Sequence, residues 1–397
     1  MIVNKTITSL AILLLLNISA SGVRTKLHRR LVETSNDVKG ICQLMVETQG
    51  YACEEHKVTT EDGYILSLQR IPTGRSNSKK GAKAPVLLQH GLISDASTWL
   101  DSPDQSLGFI LADNGFDVWL ANVRGTSYSS GHTSLTPDSS DYWNWSWDEL
   151  AIYDLPAFFR YVHDKTGQKL HYVGHSLGTL MALGAFSREE VLNIARSAAM
   201  LSPIAYMGQM LSPLARAAAD LFIADALYWL GLKKFAPGGG AASKLLKDIC
   251  TTIDCTSIEN AITGPNCCLN SSSSLSKQQP TATKNMIHLA QMIRKGTIEM
   301  YDYGNGDDNN KHYGQGTPPA YNMTSIPNDL PLFLGYGGQD LLSDVKDVQT
   351  LIDTLSDHDP NKLVLLYRED YAHLDFVHGT NANQVVYDPL MAFFERN

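Results

Sequence analysis

The chain has 397 residues, 43% of them hydrophobic and 18% charged, with a formal net charge of -9. That much apolar material supports a large core, either one big α/β domain or a domain carrying an insertion. No basic stripe and no aromatic-basic interleaving runs along it, which excludes nucleic acid as an expected partner.

At the N-terminus, Lys5 precedes an apolar run ending in Leu13-Leu14-Leu15-Leu16, and Ser19, Ala20, Ser21 and Gly22 follow. This is the pattern of a signal peptide over residues 1–22, with an apolar run too short to span a bilayer comfortably. No later segment reads as a membrane span, so none is expected once the signal is removed. Residues 23–55 form an N-terminal extension. Secretion makes the six cysteines read as disulfides. Cys42 and Cys53 are expected to pair locally, and Cys250 and Cys255 to pair with Cys267 and Cys268 in an order the spacing leaves open. The spacings are not a zinc pattern, and no metal site is expected. Asn144-Trp145-Ser146, Asn270-Ser271-Ser272 and Asn322-Met323-Thr324 are glycosylation candidates.

Strand-like runs follow at 56–60, 64–71, 84–89, 116–122, 169–173 and 198–204, with two more at 330–337 and 362–370. The later ones are nearly all apolar, as strands covered on both faces are. Helical stretches lie between them. One opens with Ser146 and Glu149 in capping-box spacing, one follows residue 176, and one follows residue 342. The alternation predicts an α/β fold with a mostly parallel sheet of eight strands. It stops between 206 and 325, where an apolar helical segment, "SPLARAAADLFIADALYWLGLKKF", precedes Gly238-Gly239-Gly240 and the cysteine cluster. Because strands resume after 326, this stretch reads as a helical cap or lid inserted between core segments 56–205 and 326–397.

Chemistry enters at Gly174-His175-Ser176-Leu177-Gly178, between an apolar strand and a helix. In that context a Gly-x-Ser-x-Gly turn projects its serine from the top of a sheet as a nucleophile. A serine needs a base, and the base needs a group to orient it. In folds with this turn, the acid and then the histidine follow the serine in the chain. Asp340 stands just past "LPLFLGYGGQ". Its rivals Asp344 and Asp347 fall where helix-start acids are expected. His373 comes six residues beyond the last strand's apolar run. His378 is the only later histidine, His358 lies in a polar turn, and His175 is too near Ser176 in sequence to turn back onto it. Two backbone N–H groups would hold a developing oxyanion: that of Leu177, after the serine, and that of Leu92, in His90-Gly91-Leu92 directly beyond the strand at 85–89.

The segments "LLQHGLISDASTWL", "NVRGTSYSSGH", "DYWNWSWDELAIYDLPAFFRYV", "YVGHSLGT", "QMIRKGTIEMYDYG", "GGQDLLSDVKDV" and "YAHLDF" together closely resemble the acid lipase family. This group of α/β hydrolases includes gastric and lysosomal acid lipases and plant triacylglycerol lipase-like proteins. The resemblance covers about residues 40 to 390, and the opening segment and the doubled Cys267-Cys268 look most like the plant branch. It implies an α/β-hydrolase fold with Ser176, Asp340 and His373 as triad and Leu92 and Leu177 as oxyanion donors. Leu177 stands where mammalian members usually carry Gln. The backbone donor survives that change, but a polar side chain at the mouth is lost, so substrate preference is not carried over. Nor are the mammalian disulfides.

The expectation is a secreted, vacuolar or lysosomal ester hydrolase, acting on lipid esters with transient contact to a lipid surface. It needs no cofactor. The alternatives are an acyltransferase using the same acyl-enzyme and a non-catalytic lipid-binding homologue, the latter opposed by the intact Ser, Asp and His set.

Overall fold

Strands whose residues are apolar on both faces have to be covered on both faces, and the inner strands are. The apolar run at 362–370 differs, because it forms an edge strand that leaves Leu365 and Tyr367 exposed. The computed structural model describes residues 40–75, 84–237, 258–269 and 278–397. Eight strands make the main sheet: β1 (Glu54–Thr59), β2 (Tyr64–Ile71), β3 (Pro85–Gln89), β4 (Asp117–Asn122), β5 (Leu170–His175), β6 (Ala195–Leu201), β7 (Leu332–Gly337) and β8 (Leu363–Arg368). Their order is β1-β2-β4-β3-β5-β6-β7-β8, with the short Gly131–His132 segment added beside β2. The β1–β2 and β2–β4 pairs and the Gly131–His132 pairing are antiparallel, and the other pairs are parallel. In β3, Leu87 joins the core on one face while Val86 and Leu88 join the core on the other, the period-two alternation of a pleated strand.

The first core packs helices α2 (Leu155–Thr166) and α3 (Leu177–Ser187) on the sheet through Phe158, Phe159, Leu180 and Leu183. The second packs α1 (Leu107–Asp113) and the C-terminal helix Asp388–Arg396 through Phe109, Leu111, Leu390 and Phe393. The capping box is present: Ser146 accepts from the Asp148 N–H, and Glu149 accepts from the Ser146 N–H. The helix then widens into a π turn over Leu150–Asp154, just before Pro156, which has no N–H to donate. In the loop after β4, the fully buried Arg124 guanidinium pairs with Asp154 at 2.7 Å and Asp62 at 2.6 Å.

Between β6 and β7 the strand-helix rhythm breaks. The single apolar helix suggested by residues 212–235 is two helices, Pro213–Asp220 and Ile223–Trp229. Phe222 sits between them in the left-handed region with φ 53°, so the chain turns where its hydrophobic pattern runs on. Helix Thr283–Lys295 follows, and Arg294 donates to the Ala219 carbonyl. Among the described residues, no helix is long and apolar enough to cross a membrane.

Cys42 and Cys53 form the expected bridge. Cys267 and Cys268 do not follow expectation: they are bonded to each other rather than to Cys250 and Cys255. The Asp375 carboxylate accepts both of their N–H groups, at 3.1 and 3.0 Å, which curls the chain at this pair. Cys250, Cys255 and Asn270 lie outside the described residues, as does the 1–22 segment. Asn144 and Asn322 are both exposed.

Asp148 joins the helix start at 147–149 to the segment before β7. It is buried, accepting from the Tyr301 N–H at 2.8 Å and the Tyr321 hydroxyl at 2.7 Å. The neighbouring Trp147 ring stacks on His288. Burial pushes the Asp148 carboxyl up to about 6, against the hydrogen bonds and the nearby Lys284 charge that lower it. An unfolded Asp titrates near ~3.9, so the native chain binds more protons between roughly pH 4 and pH 6. This group therefore contributes stability that is fully present below pH ~4 and is lost as pH rises through ~6, about 3 kcal/mol in all. Asp148→Asn, which mimics the protonated form, should flatten the fall in urea unfolding free energy between those pH values. An unchanged slope would assign the pH dependence elsewhere.

Candidate active site

A parallel sheet collects the loops that leave its strands' C-terminal ends at one edge, and ligand-binding residues gather there. Ser176 directly follows β5, His90 directly follows β3, Asp340 follows β7 and His373 follows β8. Ser176 has φ 54° and ψ -118°, a conformation that L-residues with a side chain rarely adopt. It is held by close backbone approaches on either side. A Cβ on Gly174 would lie 2.7 Å from the Gly178 carbonyl carbon, and one on Gly178 would lie 2.7 Å from the Gln89 carbonyl oxygen. The two glycines are therefore required by contact, with the second letting helix α3 start against the end of β3. The Ser176 N–H donates to the Leu201 carbonyl, which ties the turn to β6.

The loop after β3 passes against this turn: a Cβ on Gly91 would lie 3.0 Å from Ser176 Cβ. His90 holds the loop with both ring nitrogens. Its Nδ1 donates to the Gly91 carbonyl at 2.8 Å and its Nε2 accepts from the Val123 N–H at 3.3 Å. That pattern needs the neutral ring, and burial lowers the His90 pKa accordingly. The Leu92 and Leu177 N–H groups have no hydrogen-bond partner among the described residues. These two expected donors thus flank Ser176 unengaged.

His373 Nδ1 lies 2.9 Å from Asp340 Oδ2 and 3.0 Å from Oδ1. Both side chains are buried. Asp340 Oδ1 also accepts the Leu342 and Ser343 N–H groups at 2.9 and 2.8 Å, which fixes the carboxylate. His373 Nε2 is buried and has no hydrogen-bond partner among the described residues. The rivals are occupied elsewhere. Asp344 caps helix Val345–Thr354 by accepting from Lys346 and Asp347, and Asp347 accepts the Gln209 N–H. His378 pairs with Asp101 at 2.6 Å, and His358 donates to the Leu330 carbonyl.

Three supports had no signal in the sequence. The Thr263 carbonyl accepts from the Leu341 and His373 N–H groups at 3.4 and 3.2 Å, so one peptide between β6 and β7 touches both the acid and histidine loops. Asn266 accepts the Leu374 N–H. Ser202 and His175 both donate to the His373 carbonyl. Among the described residues, one cluster has metal-ligand types: Cys267, Cys268 and Asp375. Its sulfurs are joined and its carboxylate accepts three backbone N–H groups, including that of Ala372. It has no donor set free for an ion.

Residues 84–376 match the family described as "alpha/beta hydrolase fold", and residues 42–102 match the "Partial alpha/beta-hydrolase lipase region". The sheet order and the turn at Ser176 define the same class. The chain belongs to the acid lipase family of α/β hydrolases. It is 49% identical to "Triacylglycerol lipase 2" of Arabidopsis thaliana, over 90% of this chain and 88% of that one. It is 36% identical to the human "Gastric triacylglycerol lipase", over 96% and 97%. Among solved structures, a soluble variant of monoglyceride lipase from Saccharomyces cerevisiae matches with a TM-score of 0.55 at 15% identity, covering 88% of this chain and 96% of that one. That last likeness bears on fold alone.

The glycine contacts give a direct test. Gly178→Ala should lower unfolding free energy by about 1–3 kcal/mol, because its methyl group meets backbone at Gln89 that has nowhere to move. Urea denaturation of the variant measures this, and an unchanged midpoint would refute the close approach.

Proposed function

We propose that this carboxylic ester hydrolase cleaves acylglycerols or other fatty-acyl esters through Ser176, His373 and Asp340. The observation that carries the reading is the buried imidazole whose Nδ1 is fixed on a held carboxylate while its Nε2 is left open. With Nδ1 donating to Asp340, Nε2 is the basic nitrogen. It takes the Ser176 proton as the oxygen attacks the ester carbonyl, and the Asp340 charge supports the resulting imidazolium. The tetrahedral oxygen is held by the Leu92 and Leu177 N–H groups, each contributing about 3 kcal/mol that appears only in the transition state. Collapse expels the alcohol, which receives the proton from His373. His373 then activates water against the acyl-enzyme to release the fatty acid. Identity to proteins named as triacylglycerol lipases favours acylglycerol as the ester class.

Residues 206–325 act as a cap in this reading. Helix Ile223–Trp229 and the residues flanking it and helix Pro213–Asp220 expose apolar side chains: Leu211 at 59%, Leu221 at 46%, Phe222 at 51%, Trp229 at 86% and Leu230 at 47%. No residue of Ile223–Trp229 is fully buried, unlike an ordinary core helix. An apolar patch of this kind marks an interaction surface, and for this chemistry it is one that meets lipid transiently. Residues 1–22 act as a signal peptide that routes the chain into the secretory pathway.

Ser176→Ala should lower ester turnover by about 10⁴-fold or more with the thermal midpoint unchanged. Asp340→Asn should lower it by about 10²–10⁴-fold, whereas Asp344→Asn should act through helix stability. A more damaging Asp344 variant at equal folded fraction would overturn the acid assignment.

Polar substitution of Phe222 and Trp229 should reduce long-chain glyceride hydrolysis on the order of tenfold relative to a short soluble ester. The ratio of the two activities in one preparation cancels folded fraction. An unchanged ratio would remove these residues from the lipid path.

A further inference from the structure

His175 precedes the serine and is no base for it, yet its ring lies at the meeting point of the site. It is buried, and its Nε2 is 3.0 Å from the His373 carbonyl oxygen. A carbonyl only accepts, so Nε2 carries the proton. The other ring nitrogen faces the oxyanion loop: a Cβ on Gly91 would lie 3.2 Å from His175 Nδ1. The same His373 carbonyl accepts a second hydrogen bond, from Ser202 Oγ at 3.0 Å. Ser202 is buried, stands at the end of β6 with φ 51°, and is itself fixed through its N–H to the Gly335 carbonyl of β7. Two donors from the rigid ends of β5 and β6 thus converge on one carbonyl of a loop.

His373 has three fixed points. Asp340 holds its Nδ1, Thr263 accepts its N–H, and the paired donors hold its carbonyl. The first point alone leaves the ring free to pivot about the carboxylate. The backbone points remove that freedom, and of these only the carbonyl pair is anchored in the sheet that carries Ser176.

We propose that His175 and Ser202 are positioning residues whose paired hydrogen bonds to the His373 carbonyl set the place of the His373 imidazole relative to Ser176. The proposal rests on the assignment of Ser176 and His373 as nucleophile and base. It explains why a histidine stands beside the nucleophile: the ring reaches across to the base's backbone with Nε2 while its Nδ1 edge lies against Gly91. Burial, and then the nearby His373, holds the His175 pKa well below the usual histidine range. His175 therefore stays neutral while His373 cycles through its imidazolium form, and no second charge opposes that cycle. A misplacement of about 1 Å in a catalytic group costs on the order of 10²-fold in rate.

The test uses the full chain with His175→Phe, His175→Gln and Ser202→Ala, and with Ser176→Ala and His373→Ala as controls. Turnover of p-nitrophenyl butyrate is divided by active sites counted by end-point labelling with a fluorophosphonate. His175→Phe keeps a ring and loses the donor, and should lower kcat by about 30–100-fold with KM within about threefold. His175→Gln keeps an N–H donor and should recover kcat to within about fivefold of the parent. Ser202→Ala should lower kcat by about three- to tenfold. A role in packing alone would move the thermal midpoint and the count of labelled sites, with kcat per site unchanged. The proposal is overturned if His175→Phe keeps kcat within twofold, or if His175→Gln is no better than His175→Phe with both folded. Should His175→Phe fail to fold, Ser202→Ala decides, and an unchanged kcat there overturns it. Activity retained by Ser176→Ala or His373→Ala would instead reject the nucleophile and base assignment.

Discussion

Ser176 is held in a backbone conformation that would relax if the chain around it had room, and the structure gives it none. Gly174 and Gly178 approach each other, and Gly178 approaches the end of β3, at distances no Cβ permits. The Tyr172 hydroxyl adds a hydrogen bond to the Gly178 carbonyl from beneath. Because β3 and β5 are adjacent, with Gln89 opposite Gly174, the same contact that forces the serine upward brings His90-Gly91-Leu92 alongside it. Ser176 and the His90-Gly91-Leu92 loop are therefore set by one constraint: where two neighbouring parallel strands end.

Charge in the site is confined to the place where the chemistry needs it. His90 and His175 are kept neutral by burial; His90 engages backbone with both ring nitrogens and His175 with its Nε2. Asp340 is the carboxylate that meets His373, and two backbone N–H groups hold it there. Further out, Arg124 gathers Asp62 and Asp154, so the buried charges of the neighbouring loop are satisfied among themselves. Its backbone neighbour Val123 supplies the N–H that His90 Nε2 accepts. The His90-Gly91-Leu92 loop is thus linked to the Arg124 ion-pair cluster.

Much of this was legible in the sequence, for identifiable reasons. The inner strands are apolar on both faces, so 84–89, 169–173 and 330–337 announced themselves and were displaced by at most a few residues. Glycines on both sides of Ser176 and the acid just beyond "LPLFLGYGG" are local signals. Asp344 and Asp347 were separable from Asp340 because helix starts attract acids for their own reasons. What stayed hidden depends on contacts between distant segments. The backbone of the Cys267–Cys268 pair is held by Asp375, more than a hundred residues away, which accepts both N–H groups. The break at Phe222 lies inside an unbroken apolar pattern. Thr263 carries no chemistry in its side-chain type that would announce its backbone carbonyl as the shared acceptor of the Asp340 and His373 loops.

That carbonyl divides the region between β6 and β7 into parts with different freedom to vary. Residues 211–230 contribute an outward apolar surface, and the loops holding Asp340 and His373 use them little beyond the Leu211 and Ser212 N–H contacts to Leu341. The stretch 258–269 lends backbone to both loops and is sewn to the histidine loop again through Asn266, Asp375 and the Thr380 N–H on Cys268. A chimera between family members that exchanges substrate preference should therefore place its junctions so that 258–269 travels with the host core. A substitution on the outer helices leaves these backbone contacts in place, whereas a change of length within 258–269 shifts the registration of both loops at once.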